Sequence, residues 1–174
     1  MNHFQEALQH MNQTIYKPKQ LTVESIQEEK QNAEYGAGVF RLSSKTVRFR
    51  VAKITPTKIG QFVAFWEKDN NNKNRPFLFE EAPELLVVTT FKNNNEFGQF
   101  VFPKDILVKK NILRTTSTTG KMAIRVYPSW DTPTSKQALN TQKWQAPYFV
   151  DMSTHNQNSV NKLMDLYSLE LIKH

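Results

Sequence analysis

The chain has 174 residues, with 23 Lys+Arg against 16 Asp+Glu (net charge +7), 39 % hydrophobic residues and no cysteine. A chain of this size buries about 70 % of the surface its unfolded form exposes, which suits one ordinary domain. Without thiols it excludes a disulfide framework, thiol catalysis, iron–sulfur clusters and Cys-ligated zinc, and a reducing compartment is the simplest setting.

No apolar run, Leu85 to Val88 included, comes near the roughly 20 residues of a membrane span. The N-terminal stretch has no basic segment leading into an apolar block. The expectation is therefore a soluble cytoplasmic protein. Phe4, Leu8, Met11 and Ile15 recur at helical spacing and predict a helix ending before Pro18. A second helix is expected from Thr22 to Gly36, with Thr22 or Ser25 as cap and Glu24, Glu28 and Glu29 near its start. From Lys45 to Thr55 the period is two: Val47, Phe49 and Val51 point one way, Arg48 and Arg50 the other. Lys53 falls in phase with the apolar set.

After the turn Pro56 to Gly60, residues Gln61 to Trp66 read as a central strand, apolar on both faces. Residues 68–76 form a polar loop. Leu85 to Phe91 and Phe97 to Phe102 are strands joined by the turn Lys92 to Asn95. A short helix is expected between Pro103 and Leu113, a loop over Thr115 to Gly120, and a strand over Met122 to Tyr127. Thr134 or Ser135 caps a helix running towards Pro147, and Ser159 begins a last amphipathic helix containing Val160, Leu163, Met164, Tyr167 and Leu171. The fold class is α+β: one domain over residues 1–174, with a mostly antiparallel or mixed five-strand sheet between N- and C-terminal helices.

Charge is unevenly spread along these elements. Between Glu34 and Glu67 there is no acid, yet Arg41, Lys45, Arg48, Arg50, Lys53 and Lys58 fall there. From Phe97 to Trp130, Lys104, Lys109, Lys110, Arg114, Lys121 and Arg125 face only Asp105. Single-sign stretches on ordered strands are expected to join into one basic face, which would attract a polyanion. The alternative for the same charges is a solvated surface. Trp66, Tyr127, Trp130 and Trp144 flank these segments as stacking candidates. Trp66, in a strand, reads as core, whereas Trp130 lies in a Pro-rich turn where burial is open. Lys136 and Lys143, seven apart on a helix, share a face.

Enzyme signatures are scarce. His3, His10, His155 and His174 are confined to the terminal regions, and no Walker A, G-x-S-x-G or dinucleotide fingerprint occurs. The carboxylate-x-Lys form of a metal nuclease appears once, as Glu28-Glu29-Lys30, in a stretch that reads as a surface salt-bridge pattern. Glu34, Glu67 and Lys53 are the one set that can be drawn together beside the strands as a divergent catalytic site, using Mg²⁺ or Mn²⁺.

Four segments carry a resemblance: Arg50 to Val63, Phe97 to Lys104, Arg125 to Trp130, and Thr134 to Ala138 with Thr141 to Gln145. Through them the chain resembles the MepB-like family of small bacterial proteins. That resemblance implies a restriction-endonuclease-like core with its metal-binding carboxylates largely missing, and hence nucleic-acid binding by a nuclease-shaped scaffold. Fold analogy is a weak warrant for activity.

The residues and the resemblance lead to the same expectation: a non-catalytic, largely sequence-independent DNA- or RNA-binding protein. It grips the phosphate backbone through Arg48, Arg50, Lys53, Lys58, Lys104, Arg125, Lys136 and Lys143, with Trp130 as a stacking residue, and needs no cofactor. The alternatives are a metal-dependent phosphodiesterase built on Glu34, Glu67 and Lys53, and an adaptor for an acidic protein surface.

Overall fold

The computed structural model describes residues 3–168. Phe4, Ala7, Leu8 and Met11 recur at the spacing that stacks side chains on one helical face, and all four are buried along helix α1, Phe4–Met11. Thr14 Oγ1 then donates to the His10 carbonyl at 2.7 Å, a bond that bends helices. The arm loosens into a π turn, Asn12–Tyr16, and closes with a 3₁₀ turn over Lys17–Lys19 that contains Pro18.

The helix expected from Thr22 to Gly36 is absent. Its place is taken by strand β1, Val23–Glu28, and a 3₁₀ turn, Ala33–Tyr35. β1 is an edge strand, exposed along nearly its whole length and interrupted by Ser25 at φ 54°, so it carries no apolar alternation. It pairs antiparallel with β2, Gly38–Leu42, which pairs in turn with β3, Lys45–Val51.

The strand expected from Lys45 to Thr55 divides at Ala52, whose N–H still reaches the Thr89 carbonyl of the main sheet. The next two residues, β4 (Lys53–Ile54), pair instead with β5, Gln61–Ala64. The polar loop over residues 68–76 contains a small ribbon of β6, Glu67–Lys68, and β7, Asn74–Arg75. Then come β8 (Leu85–Phe91), β9 (Phe97–Pro103), α2 (Lys104–Lys109), β10 (Ala123–Val126), α3 (Lys136–Gln145), β11 (Phe149–Asp151) and α4 (Gln157–Tyr167). Ser135 Oγ caps α3 by accepting from Ala138 N, and Asn156 Oδ1 caps α4 by accepting from Ser159 N. Leu171, expected on the last helix, lies outside the described residues.

The strands do not form one five-stranded sheet. Six make a mixed sheet in the order β1-β2-β3-β8-β9-β11, and a second sheet runs β10-β5-β4. Only the β3–β8 pair of the large sheet is parallel, because the chain between them crosses over its face as the smaller sheet. β5 is central, as its two apolar faces suggested, but in the smaller sheet.

Side chains alternate across the large sheet. Val47, Phe49, Val51, Leu85, Val87 and Val101 meet α1, the π turn and α4 on one side. Leu86, Val88, Phe100 and Phe102 meet Val63, Phe65, Leu107 and Val126 on the other. Within the first layer a fully buried polar chain runs from Tyr16 to Tyr167 at 2.7 Å, on to Gln99 at 2.7 Å, and from Gln99 to Thr89 at 3.0 Å. Burial pushes the Tyr16 hydroxyl up to about 12. Among the described residues no helix is long and apolar enough to cross a membrane.

The two layers are joined by Arg50, whose side chain has no exposed surface. Its Nη1 donates to Glu29 Oε1 at 2.7 Å and to the Phe49 carbonyl at 2.9 Å, its Nε to the Ala64 carbonyl at 3.1 Å, and its Nη2 to Asn32 Oδ1 at 3.2 Å. Removing one partner of a buried pair costs about 3–5 kcal/mol. Glu29→Ala should lower unfolding stability by about that amount, whereas Glu34→Ala, on a side chain 67 % exposed, should cost less than about 1 kcal/mol. Urea unfolding of the two variants measures both, and equal losses would contradict the burial assignment.

His10 gives a pH test. Its ring packs on Phe91 and Phe97, its Nε2 is buried without a hydrogen-bond partner among the described residues, and burial, helped by His155, lowers its pKa. The unfolded chain therefore binds this proton more readily than the folded one. The contribution to stability is complete above the ordinary histidine range and is lost as pH falls through the lowered folded value. Between about pH 7.5 and about pH 5.5 the midpoint in urea should fall more for the wild type than for His10→Leu.

Candidate functional site

The outer face of the smaller sheet, with α3 standing against it, forms a groove of about 740 Å³. α3 is held there by Gln145, which is fully buried. Its Oε1 accepts from the Tyr127 N–H at 2.9 Å and its Nε2 donates to the Arg125 carbonyl at 3.0 Å. The amide thus takes the place of a neighbouring strand for β10.

The opposite wall is the turn between β4 and β5, drawn in by Arg125. Its Nη1 donates to Thr55 Oγ1 at 2.9 Å and to the Gly60 and Ile59 carbonyls at 3.3 and 3.4 Å. Gly60 at φ 85° permits the close approach, since a Cβ there would lie 2.8 Å from the Tyr127 ring. Beneath the turn, burial raises the Asp131 carboxyl against the opposing effect of the Gly60 N–H.

Lys58, Lys110, Lys121 and Arg125 line this groove, and no carboxylate is among the lining residues. A shelf along α3 continues it, sharing Lys110, Gln137, Thr141 and Trp144 and adding Lys136. Lys110 Nζ sits 5.3 Å from the centre of the Trp144 ring. None of these five cations forms an ion pair with a described residue. The ion pairs of the described residues use Lys45, Arg48, Arg50, Lys53, Arg75 and Arg114 instead.

Of the residues expected to grip phosphate, Lys58, Arg125 and Lys136 therefore come together. The others do not. Arg48 and Arg50 do not form a solvent-facing basic row: the second layer covers them, Arg48 lies 3.5 Å over the Phe77 ring, and both guanidinium groups share Glu29. Burial lowers both arginine pKa values and Glu29 opposes it.

Lys53 leaves the apolar phase at Ala52 and salt-bridges Glu34 at 3.1 Å over the Tyr35 ring. Lys104 is used internally, donating to the Phe79 and Ala82 carbonyls at 3.1 and 3.2 Å. Lys143 does not share the groove face with Lys136; it lines a separate hollow with Tyr127, Leu139 and Lys162. Trp130 is half-buried edge-on against Phe149, and Trp66 packs partly buried on the second core layer.

The alternative set of Glu34, Glu67 and Lys53 does not assemble. Glu34 is answered by Lys53, while Glu67 Oε2 is held by Arg75 Nε at 2.7 Å and Arg114 Nη2 at 3.7 Å. Lys110 and Lys121 do not stand out in the sequence as site residues. Their signal is the acid-poor stretch from Phe97 to Trp130, which marks charge but not direction.

Against known proteins, the family model described as MepB-like matches residues 29–151, a span that contains every groove residue. A solved structure titled "Crystal Structure of MepB" is similar at 38 % sequence identity with a TM-score of 0.73, covering 87 % of this chain and 97 % of that one. No curated protein matches. Three of the four segments through which the sequence resembles that family meet at the groove, contributing Lys58, Arg125 with Tyr127, and Thr134 to Gln145.

Arg125 closes the groove through hydrogen bonds whose net worth is about 0.5–1.5 kcal/mol each. Arg125→Ala should leave the core intact and speed amide exchange across the turn from Thr55 to Gly60. Exchange unchanged in that segment would show that the turn holds its shape without the guanidinium.

Proposed function

The chain belongs to the MepB-like family, and for this member we propose that the groove binds the phosphate backbone of nucleic acid, holding it rather than cutting it and largely without regard to sequence. The observation that carries the reading is the separation of charge: five cations on one concave surface, none in an ion pair with a described residue, and no carboxylate among the lining residues. Cations left without acidic neighbours raise the local positive potential, and a hollow bounded by protein focuses that field on a polyanion.

The groups suit phosphates specifically. Lysines supply point charges, while the one arginine has its Nη1 committed to the turn and its remaining N–H groups available for a charge-assisted bond. Thr134 and Ser135, at the start of α3, add hydroxyls to the same wall. Trp144 and Tyr127 add aromatic surface to the lining, against which bases can pack. Backbone contact of this kind positions a chain without reading its sequence.

Five phosphate contacts on a single strand imply that affinity falls by about a hundredfold between about 50 and about 200 mM salt. Fluorescence anisotropy with a labelled oligonucleotide measures this. Lys58→Glu with Lys121→Glu should weaken binding at least about tenfold on every sequence offered and flatten the salt dependence, whereas Lys143→Glu, outside the groove, should not. Affinity that ignores both salt and the double substitution would remove the reading.

A further inference from the structure

A second hollow opens on the same outer face of the smaller sheet. It has a volume of about 390 Å³ and is lined by Asn32, Glu34, Tyr35, Phe62, Trp66 and Asn74 among others. Its walls are aromatic: Tyr35 and Phe62 lie 6.0 Å apart, tilted at 58°. Three cations stand over these rings, Lys53 at 4.9 Å from Tyr35, Lys68 at 5.3 Å from Trp66 and Arg125 at 6.0 Å from Phe62. The lining carboxylate, Glu34, is neutralised by Lys53.

Asn32 is only 7 % exposed, and its amide orientation is settled by its neighbours. Oδ1 accepts from Arg50 Nη2 at 3.2 Å and from the Trp66 N–H at 2.9 Å, both of which can only donate. The remaining group is the Nδ2 amine, buried and with no acceptor among the described residues. A buried donor left unmade costs free energy, and here it belongs to a residue of the hollow's wall. The site therefore offers an aromatic lining with cations above its rings, backed by an Asn32 side chain held rigidly by the Arg50 network. At the small end of ligand sites, which run from about 300 to about 1,000 Å³, it suits a single ring system.

Strand register places this hollow beside the groove. Lys53, Phe62 and Arg125 are paired across β4, β5 and β10, so their side chains form one row on one face, and Ala123 borders both hollows. We propose that the hollow receives one unstacked nucleobase from a single strand whose phosphates lie in the groove. The base lies against the aromatic walls, and its arrival changes the surroundings of the Asn32 amide, which lies buried just behind the lining. This inference rests on the nucleic-acid reading and narrows it to single strands, because a base held in a duplex stack cannot enter.

The test compares an oligothymidylate with an abasic sugar-phosphate chain of equal length, alongside the Asn32 side-chain amide signals in the nitrogen–proton NMR spectrum. The oligothymidylate should bind about tenfold more tightly or better, as one stacked base contributes, and should shift the Asn32 amide, which the abasic chain should not. Phe62→Leu, which keeps the packing but removes the ring, should abolish the advantage of the base-bearing chain. Equal, salt-sensitive affinity for both chains with an unmoved Asn32 amide would overturn the base site while leaving the groove reading standing. Salt-insensitive or absent binding of both would overturn the two together. A duplex that matches the oligothymidylate in affinity and in its effect on Asn32 would also overturn the base site.

Discussion

The molecule is organised around a charge with no access to water. Arg50 stands on the central part of the large sheet and points away from the helices, into the layer where a side chain that long meets the smaller sheet. A buried guanidinium is tolerated only when its donors are met, and here Glu29, Asn32 and the Phe49 and Ala64 carbonyls meet them. Each of these partners comes from a different place: the end of the edge strand, the left-handed turn at Asn32, β3 itself, and the last residue of β5. One side chain thus sets the distance between the two sheets and the position of the turn that walls the second hollow.

That arrangement explains how the charges separate. Three carboxylates beside the sheets are spent on cations that hold the fold together, with Glu29 on Arg48 and Arg50, Glu67 on Arg75 and Arg114, and Glu34 on Lys53. The lysines around α3 and the β4–β5 turn receive none from the described residues. A net positive chain placed in water keeps its unmatched charge wherever desolvation is least costly, and the rim of an open groove satisfies that condition. The basic composition and the ligand-binding reading are therefore connected through the ion pairs: the acids neutralise the interior and leave the groove cationic.

Regular elements with strong internal periodicity were legible in advance. The N-terminal helix, the strands around Phe49, Val87 and Val101, the short helix after Pro103, the Ser135-capped helix and the last amphipathic helix all express themselves in neighbouring residues. The segment from Thr22 to Gly36 did not. As an exposed edge strand it has no apolar alternation, and one of the glutamates that suit a helix start, Glu29, is needed by arginines about 20 positions later in the chain. β11 and β2 were missed for a related reason: each is short and takes its register from a neighbour already in the sheet.

Composition and local pattern alone determined the α+β class, the absence of thiol chemistry, the acid-poor stretches and most of the element types, because these depend on residues within a few positions of one another. Only the tertiary structure decided which cations face solvent. Arg48 and Lys58 look alike in a charge count, but one lies under a phenylalanine beside a glutamate and the other stands free at a groove. That difference is created by the crossover that lays one sheet on the other, bringing residues 57–59, 110–125 and 133–145 to one surface, and no periodicity within any of those segments encodes it.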